Sequence, residues 1–164
     1  MKCLCFSDSH GSVDLIVRAL RIHRDAEVVF FLGDGLSDIA HFVMNDRERA
    51  WLTVRGNCDM SASLFGNTVK KTDEITLIDK RIVYTHGDLY GAKYGKDGLV
   101  SLGRERGADI VLFGHTHIPH ESYISDGGFY LFNPGSAGGV GAAPSYGVIS
   151  ITDKGVLLSH GALA

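Results

Sequence analysis

Cysteine, proline and tryptophan are scarce in this sequence, positive charge is not in excess, and long hydrophobic runs are missing. The three cysteines, Cys3, Cys5 and Cys58, are odd in number and badly spaced for a disulfide framework, so a reducing, cytoplasmic setting is expected. No apolar run approaches the roughly 20 residues that a bilayer-spanning helix needs, so no membrane association is expected. Lys2 is followed by only a short apolar run before Asp8 and His10, which argues against a signal peptide. Lys and Arg total 16 against 19 Asp and Glu, and the basic residues are scattered, so a nucleic-acid partner is not expected. Only 3 prolines accompany 21 glycines, which suggests many tight turns around strands. Without repeats or linkers, 164 residues at 45% hydrophobic suit one domain over 1–164 with a sizeable core. Oligomeric state, including a homo-oligomer, stays open because apolar patches cannot be located from sequence.

What is present is a series of short apolar runs. Lys2 to Ser7, Val28 to Leu32, Trp51 to Val54, Arg81 to Thr85 and Ile110 to Phe113 read as strands. Leu15, Ile16, Ala19, Leu20 and His23 fall at helical spacing, with Ser12 or Asp14 as the cap. A short helix is expected through Ile39, Phe42 and Val43, and another up to about Arg106. Turn residues between apolar pairs predict hairpins around Asp79-Lys80, Asp126-Gly127-Gly128 and Asp153-Lys154-Gly155, while Tyr90 to Gly98 reads as loop. The first half alternates strand and helix and the second is mostly strand. This predicts an α/β chain with mixed sheets, two of them packed face to face and helices outside.

The strands share an ending. Asp8, His10, Asp34, Asn57, His86, His115 and His117 all follow apolar runs, and most lie beside glycine. The carboxyl ends of neighbouring strands in an α/β sheet share one edge, so these residues can converge there. Gly114 is expected to provide the sharp turn that projects His115 and His117. A mixed oxygen and nitrogen set without thiolate suits Mn, Fe, Zn or Co rather than a structural zinc knot. Seven side chains are too many for one tetrahedral ion. They fit two ions about 3.5–4 Å apart that share a carboxylate, a site whose charge favours phosphate esters. Taken singly, Asp8 and Asp34 could cap helices and Asn57 could be a turn residue.

In order, Asp8-x-His10, Gly33-Asp34, Gly56-Asn57, His86 and Gly114-His115-x-His117 match the motifs of the calcineurin-like metallophosphoesterases. The wording SDSHG, GNCD and GHTHIPH resembles the compact bacterial and archaeal phosphodiesterase branch. The resemblance implies a four-layer α/β/β/α sandwich of two mixed sheets flanked by helices. It also implies two divalent ions, Mn²⁺ first, with Zn²⁺, Fe²⁺, Ni²⁺ or Co²⁺ as alternatives. Asp8, His10 and His117 would hold one ion and Asn57, His86 and His115 the other. Asp34 would bridge them together with a hydroxide that attacks phosphorus, so Asp34, Asn57 and His86 carry the catalytic assignment. The implied substrate is a small phosphodiester.

One position departs from the pattern. Many relatives carry histidine after Gly-Asn, placed to protonate the leaving oxygen, where this chain has Cys58. A thiol neither carries positive charge nor donates strong hydrogen bonds, which favours substrates with good leaving groups. Asp59 has no obvious partner. His23 and His41 read as packing or surface residues, His160 as part of a C-terminal tail, and His120 as lying outside the site rather than at the pocket rim. Cys3 and Cys5 read as small apolar groups on one side of a buried strand. The Asn133-Pro134-Gly135-Ser136 turn reads as structural, and Tyr90, Lys93 and Tyr94 read equally as substrate contacts or as a solvated loop. A nuclease is disfavoured for want of a basic groove. The alternative is a protein-binding scaffold like the retromer subunit of this fold, which the intact set of seven argues against.

Overall fold

In the computed structural model, residues 1–60 and 63–162 are described. One sheet runs in the order β12 (Gly155–Ala162), β11 (Ser145–Thr152), β1 (Lys2–Phe6), β2 (Val28–Phe31), β3 (Ala50–Thr53). The other runs β6 (Thr72–Leu77), β7 (Lys80–Thr85), β8 (Ile110–Leu112), β10 (Phe129–Asn133), β9 (His120–Ile124). Both sheets are mixed: β1, β2 and β3 are parallel, with β11 and β12 added antiparallel on the β1 side, and β7, β8 and β10 are parallel, with β6 and β9 antiparallel at the two edges. Helices α1 (Asp14–Ile22), α2 (Leu36–Asn45) and α3 (Asp97–Arg106) complete the elements that matter here.

The strands are apolar on both faces because both faces are covered. In β1, Cys3 and Cys5 face the second sheet, together with Phe30, Ile82, Tyr84, Ile110, Leu112 and Phe132. The alternate residues Leu4 and Phe6 pack with Val29 and Phe31 under Leu15, Ile16 and Ala19 of α1 and Leu36 and Ile39 of α2. Val83, Val111 and Leu131 likewise meet Leu99 and Leu102 of α3. The result is the expected four-layer α/β/β/α sandwich. Burial pushes the Cys3 thiol up to about 12 and the Cys5 thiol well above its ordinary value, so both are apolar packing groups, as read from the sequence.

Several local expectations are corrected. Neither Ser12 nor Asp14 caps α1, whose N-cap is Val13 without a side-chain hydrogen bond. A small hairpin of β4 (Ser63–Leu64) and β5 (Asn67–Thr68) occupies a stretch without apolar alternation. His160 is no tail residue: it lies in β12, stacks on Phe132 with ring centroids 4.6 Å apart, and pairs with the Asn133 carbonyl at 2.7 Å. Two other histidines lie outside the site, as expected: His120 sits in β9, against Phe113 and the Ser122 hydroxyl, and His23 packs on Tyr146, with its Nε2 3.0 Å from the phenol oxygen.

Candidate metal centre

The two sets of parallel strands point their carboxyl ends to the same edge of the sandwich. Asp8 and His10 follow β1, Asp34 follows β2, Asn57 follows β3, His86 follows β7, and His115 and His117 follow β8. Asp8, Asp34 and His86 are buried, whereas His10 and Asn57 reach the surface. His117 Nε2 lies 3.2 Å from Asp8 Oδ1 and 3.3 Å from His10 Nε2. His86 Nε2 lies 3.3 Å from Asp34 Oδ2 and 3.2 Å from Asn57 Oδ1. The ligand atoms of Asp8, His10 and His117 fall within 4.8 Å of one another, as do those of Asp34, His86 and His115. Seven residues spread over 110 positions are therefore brought to one place.

These residues reach their positions through unusual backbone. Asp8, His10, Asp34, His115 and His117 have φ of 55°, 44°, 58°, 66° and 62°, all in the left-handed region. Only Phe65 and Ile78 join them among the described non-glycine residues. The expectation for Gly114 is corrected here. The turn is carried by the histidines, and Gly114 does not have a left-handed φ. It is glycine because a Cβ would lie 2.9 Å from Asp8 Oδ2 and collide with the Ser7 side chain. Gly114→Ala is therefore expected to push β8 away from Asp8 and lower metal affinity at least about tenfold, measured by calorimetry on the metal-stripped protein. An unchanged affinity would count against this close approach as the reason for glycine.

Neither Asp8 nor Asp34 caps a helix. Asp8 Oδ2 accepts from the His115 N–H at 3.1 Å and Asp34 Oδ1 from the Cys58 N–H at 2.7 Å. Asp59, without an evident partner in the sequence, accepts the N–H groups of Asp34, Gly35 and Leu36 at 2.8, 2.9 and 2.8 Å, and that of Gly56 at 2.7 Å. It thus caps α2 from the far side of the site and ties the Gly33-Asp34 loop to the Gly56-Asn57 loop. Asp38 braces the first loop, accepting from Ser9 Oγ at 2.6 Å and the Gly11 N–H at 2.8 Å. The 133–136 turn is structural, as expected, and its role is specific: Ser136 Oγ donates to the Asp8 carbonyl at 2.8 Å. Tyr90 turns inward, its hydroxyl 3.1 Å from that of Thr72, while Tyr94 is exposed.

Electrostatics follow from this geometry. Burial raises the Asp8 carboxyl, and His86 and His117 oppose the rise. Burial also works against the Asp34 carboxylate, but His86 and the Cys58 N–H outweigh it and hold Asp34 far below the usual range. Burial alone would lower His86, yet Asp34 and Asp8 raise it. His115 is pushed down to about 4, first by burial and then by His86, so it presents a neutral ring. The fit to a cation can be judged on one atom. Asp8 Oδ1 is fully buried, has no hydrogen-bond donor, and lies 3.8 and 4.0 Å from the Nε2 atoms of His10 and His86. An orphaned carboxylate oxygen among imidazole nitrogens fits a divalent ion. His86 Nδ1 pairs with the Leu32 carbonyl at 2.8 Å, which turns the Nε2 lone pair toward the centre.

The model of the "Calcineurin-like phosphoesterase superfamily domain" matches residues 1–154. The chain is 31% identical to the probable metallophosphoesterase YsnB of Bacillus subtilis, over 83% of this chain and 75% of that protein. It is 27% identical to phosphodiesterase YfcE of Escherichia coli K12, over 96% of each. The solved structure of Vps29 from Entamoeba histolytica in complex with zinc superposes with a TM-score of 0.77 at 19% identity, covering 99% of each chain.

Proposed function

Because the chain belongs to the calcineurin-like phosphoesterase superfamily, we propose that it is a metal-dependent phosphodiesterase that hydrolyses small phosphodiesters at a dinuclear centre. The observation that carries this reading is the buried Asp8 Oδ1, without a donor and ringed by imidazoles. Asp8, His10 and His117 would hold one ion, Asn57, His86 and His115 the other, and Asp34 would contribute to both. Two such ions supply Lewis acidity toward phosphate oxygens and acidify water to a pKa of about 7. The protein's own part is positioning: Leu32 orients His86, Asp59 orders the loops that carry Asp34 and Asn57, and Ser136 holds the Asp8 backbone. Mn²⁺ is the first candidate for the native ion. A small-molecule substrate is favoured over a nucleic acid by the net charge of −3.

The test is to strip the protein with chelator and assay an aryl phosphodiester and the matching monoester, with and without Mn²⁺. Turnover of the diester is expected to return with Mn²⁺, to exceed that of the monoester, and to vanish in Asp34→Ala. The likeness to Vps29 favours one other reading, a protein-binding module. Confirmed binding of Mn²⁺, Zn²⁺, Co²⁺ or Ni²⁺ without any turnover would establish that reading instead.

A further inference from the structure

A cleft of about 390 Å³ opens directly beside the centre, sharing His10, Asp34 and Cys58 with it. Its far wall is apolar: Leu36 at the start of α2, Met60, and Leu64 of β4. Met60 is fully exposed, a soft and adaptable side chain beside a polar site. Among the described residues no lysine or arginine lines the cleft, whereas the carboxylates of Asp34, Asp38 and Asp59 do. Both Asp59 oxygens already accept backbone N–H groups, and Asp38 Oδ2 accepts Ser9 Oγ and the Gly11 N–H. Asp59 thus has no oxygen left for a cationic clamp and Asp38 has one engaged, while both add negative potential. A cavity of about 150 Å³ holds a benzene ring, so this cleft admits a substituted aryl or medium alkyl group.

Resting on the phosphodiesterase reading, we infer that this cleft binds one ester arm of the substrate, and that the arm is uncharged and apolar. Substrates whose second arm carries another phosphate or a carboxylate are selected against, because beyond the metal ligands that charge would meet the carboxylates of Asp38 and Asp59 and, among the described residues, no lysine or arginine. Specificity is thereby assigned to Leu36, Met60 and Leu64.

The test uses Mn²⁺-loaded protein and probes that each carry one phosphonate anion and whose P–C bond keeps the arm attached: the O-methyl esters of methylphosphonate, phenylphosphonate and 4-carboxyphenylphosphonate, the last with a second charge on its arm. Calorimetry is expected to give about tenfold or more tighter binding of the phenyl than of the methyl probe. The carboxyphenyl probe should bind no tighter than the methyl one. Met60→Lys, a change at a fully exposed position, should weaken the phenyl probe and strengthen the carboxyphenyl probe by about threefold each. Equal affinities for all three probes, or no response to Met60→Lys, would overturn the inference while leaving the phosphoesterase reading intact. Failure of even the methyl probe to bind a metal-loaded centre would overturn both.

Discussion

Asp59→Ala is expected to lower the melting temperature by about 10 °C and to reduce turnover to background. The carboxylate accepts four backbone N–H groups, those of Asp34, Gly35, Leu36 and Gly56. Three of these residues are buried, so alanine strands donors that water reaches poorly. Partial refilling by water leaves a cost of about 3 kcal/mol, and for a chain of this size each kcal/mol moves the midpoint by roughly 3 °C. The same bonds hold the Asp34 and Asn57 loops in register, so the loss extends to metal affinity. Scanning calorimetry in chelator isolates the stability part, and titration with Mn²⁺ the other. A shift below 2 °C would mean that the loops hold themselves.

Cys58→His is expected to raise kcat on alkyl phosphodiesters about a hundredfold, with less than a threefold change on p-nitrophenyl esters. Sγ lies in a cluster with His10 and Asp34, within 4.8 Å of the ligand atoms of both. Burial, and then the hydrogen bond and charge of Asp34, raise its pKa, so at neutral pH it is a protonated thiol and a weak proton donor. A histidine beside the same carboxylate would be held in its charged form and could protonate a departing alkoxide. A nitrophenolate leaves without that help. Equal acceleration of both ester classes would show that the side chain acts on binding or on the metals instead.

How far the sequence reveals this depends on what each residue needs from its neighbours. Asp8, Asp34, His86 and His115 are legible because each terminates an apolar run, and parallel strands deliver their ends to one edge. The two-faced burial of the strands is legible for the same reason, since Cys3, Leu4, Cys5 and Phe6 show no polar alternation. Asp59 is opaque: three of its four partners lie 23 to 25 positions back, and a carboxylate collecting backbone N–H groups leaves no pattern in side-chain types. The β4–β5 hairpin is too short to alternate. His160 is misread because its role depends on Phe132 and Asn133 across the sheet, contacts made only by tertiary structure. Gly114 is read correctly as necessary but for the wrong cause, because sequence cannot separate a glycine needed for its torsion from one needed for its missing Cβ.

Five candidate ligands held in left-handed backbone amount to a levy on the native state. At about 1 kcal/mol each, they sum to roughly 5 kcal/mol, comparable with the whole stability of an ordinary domain. The antagonism between durability and chemistry is thus built into individual torsions. Glycine at these positions would relax the backbone and delete the donor in one step, so the most thermostable version of this sandwich is one without the candidate ligands. A descendant with no use for those side chains would be drawn toward that version, keeping the layers and shedding the candidate ligands.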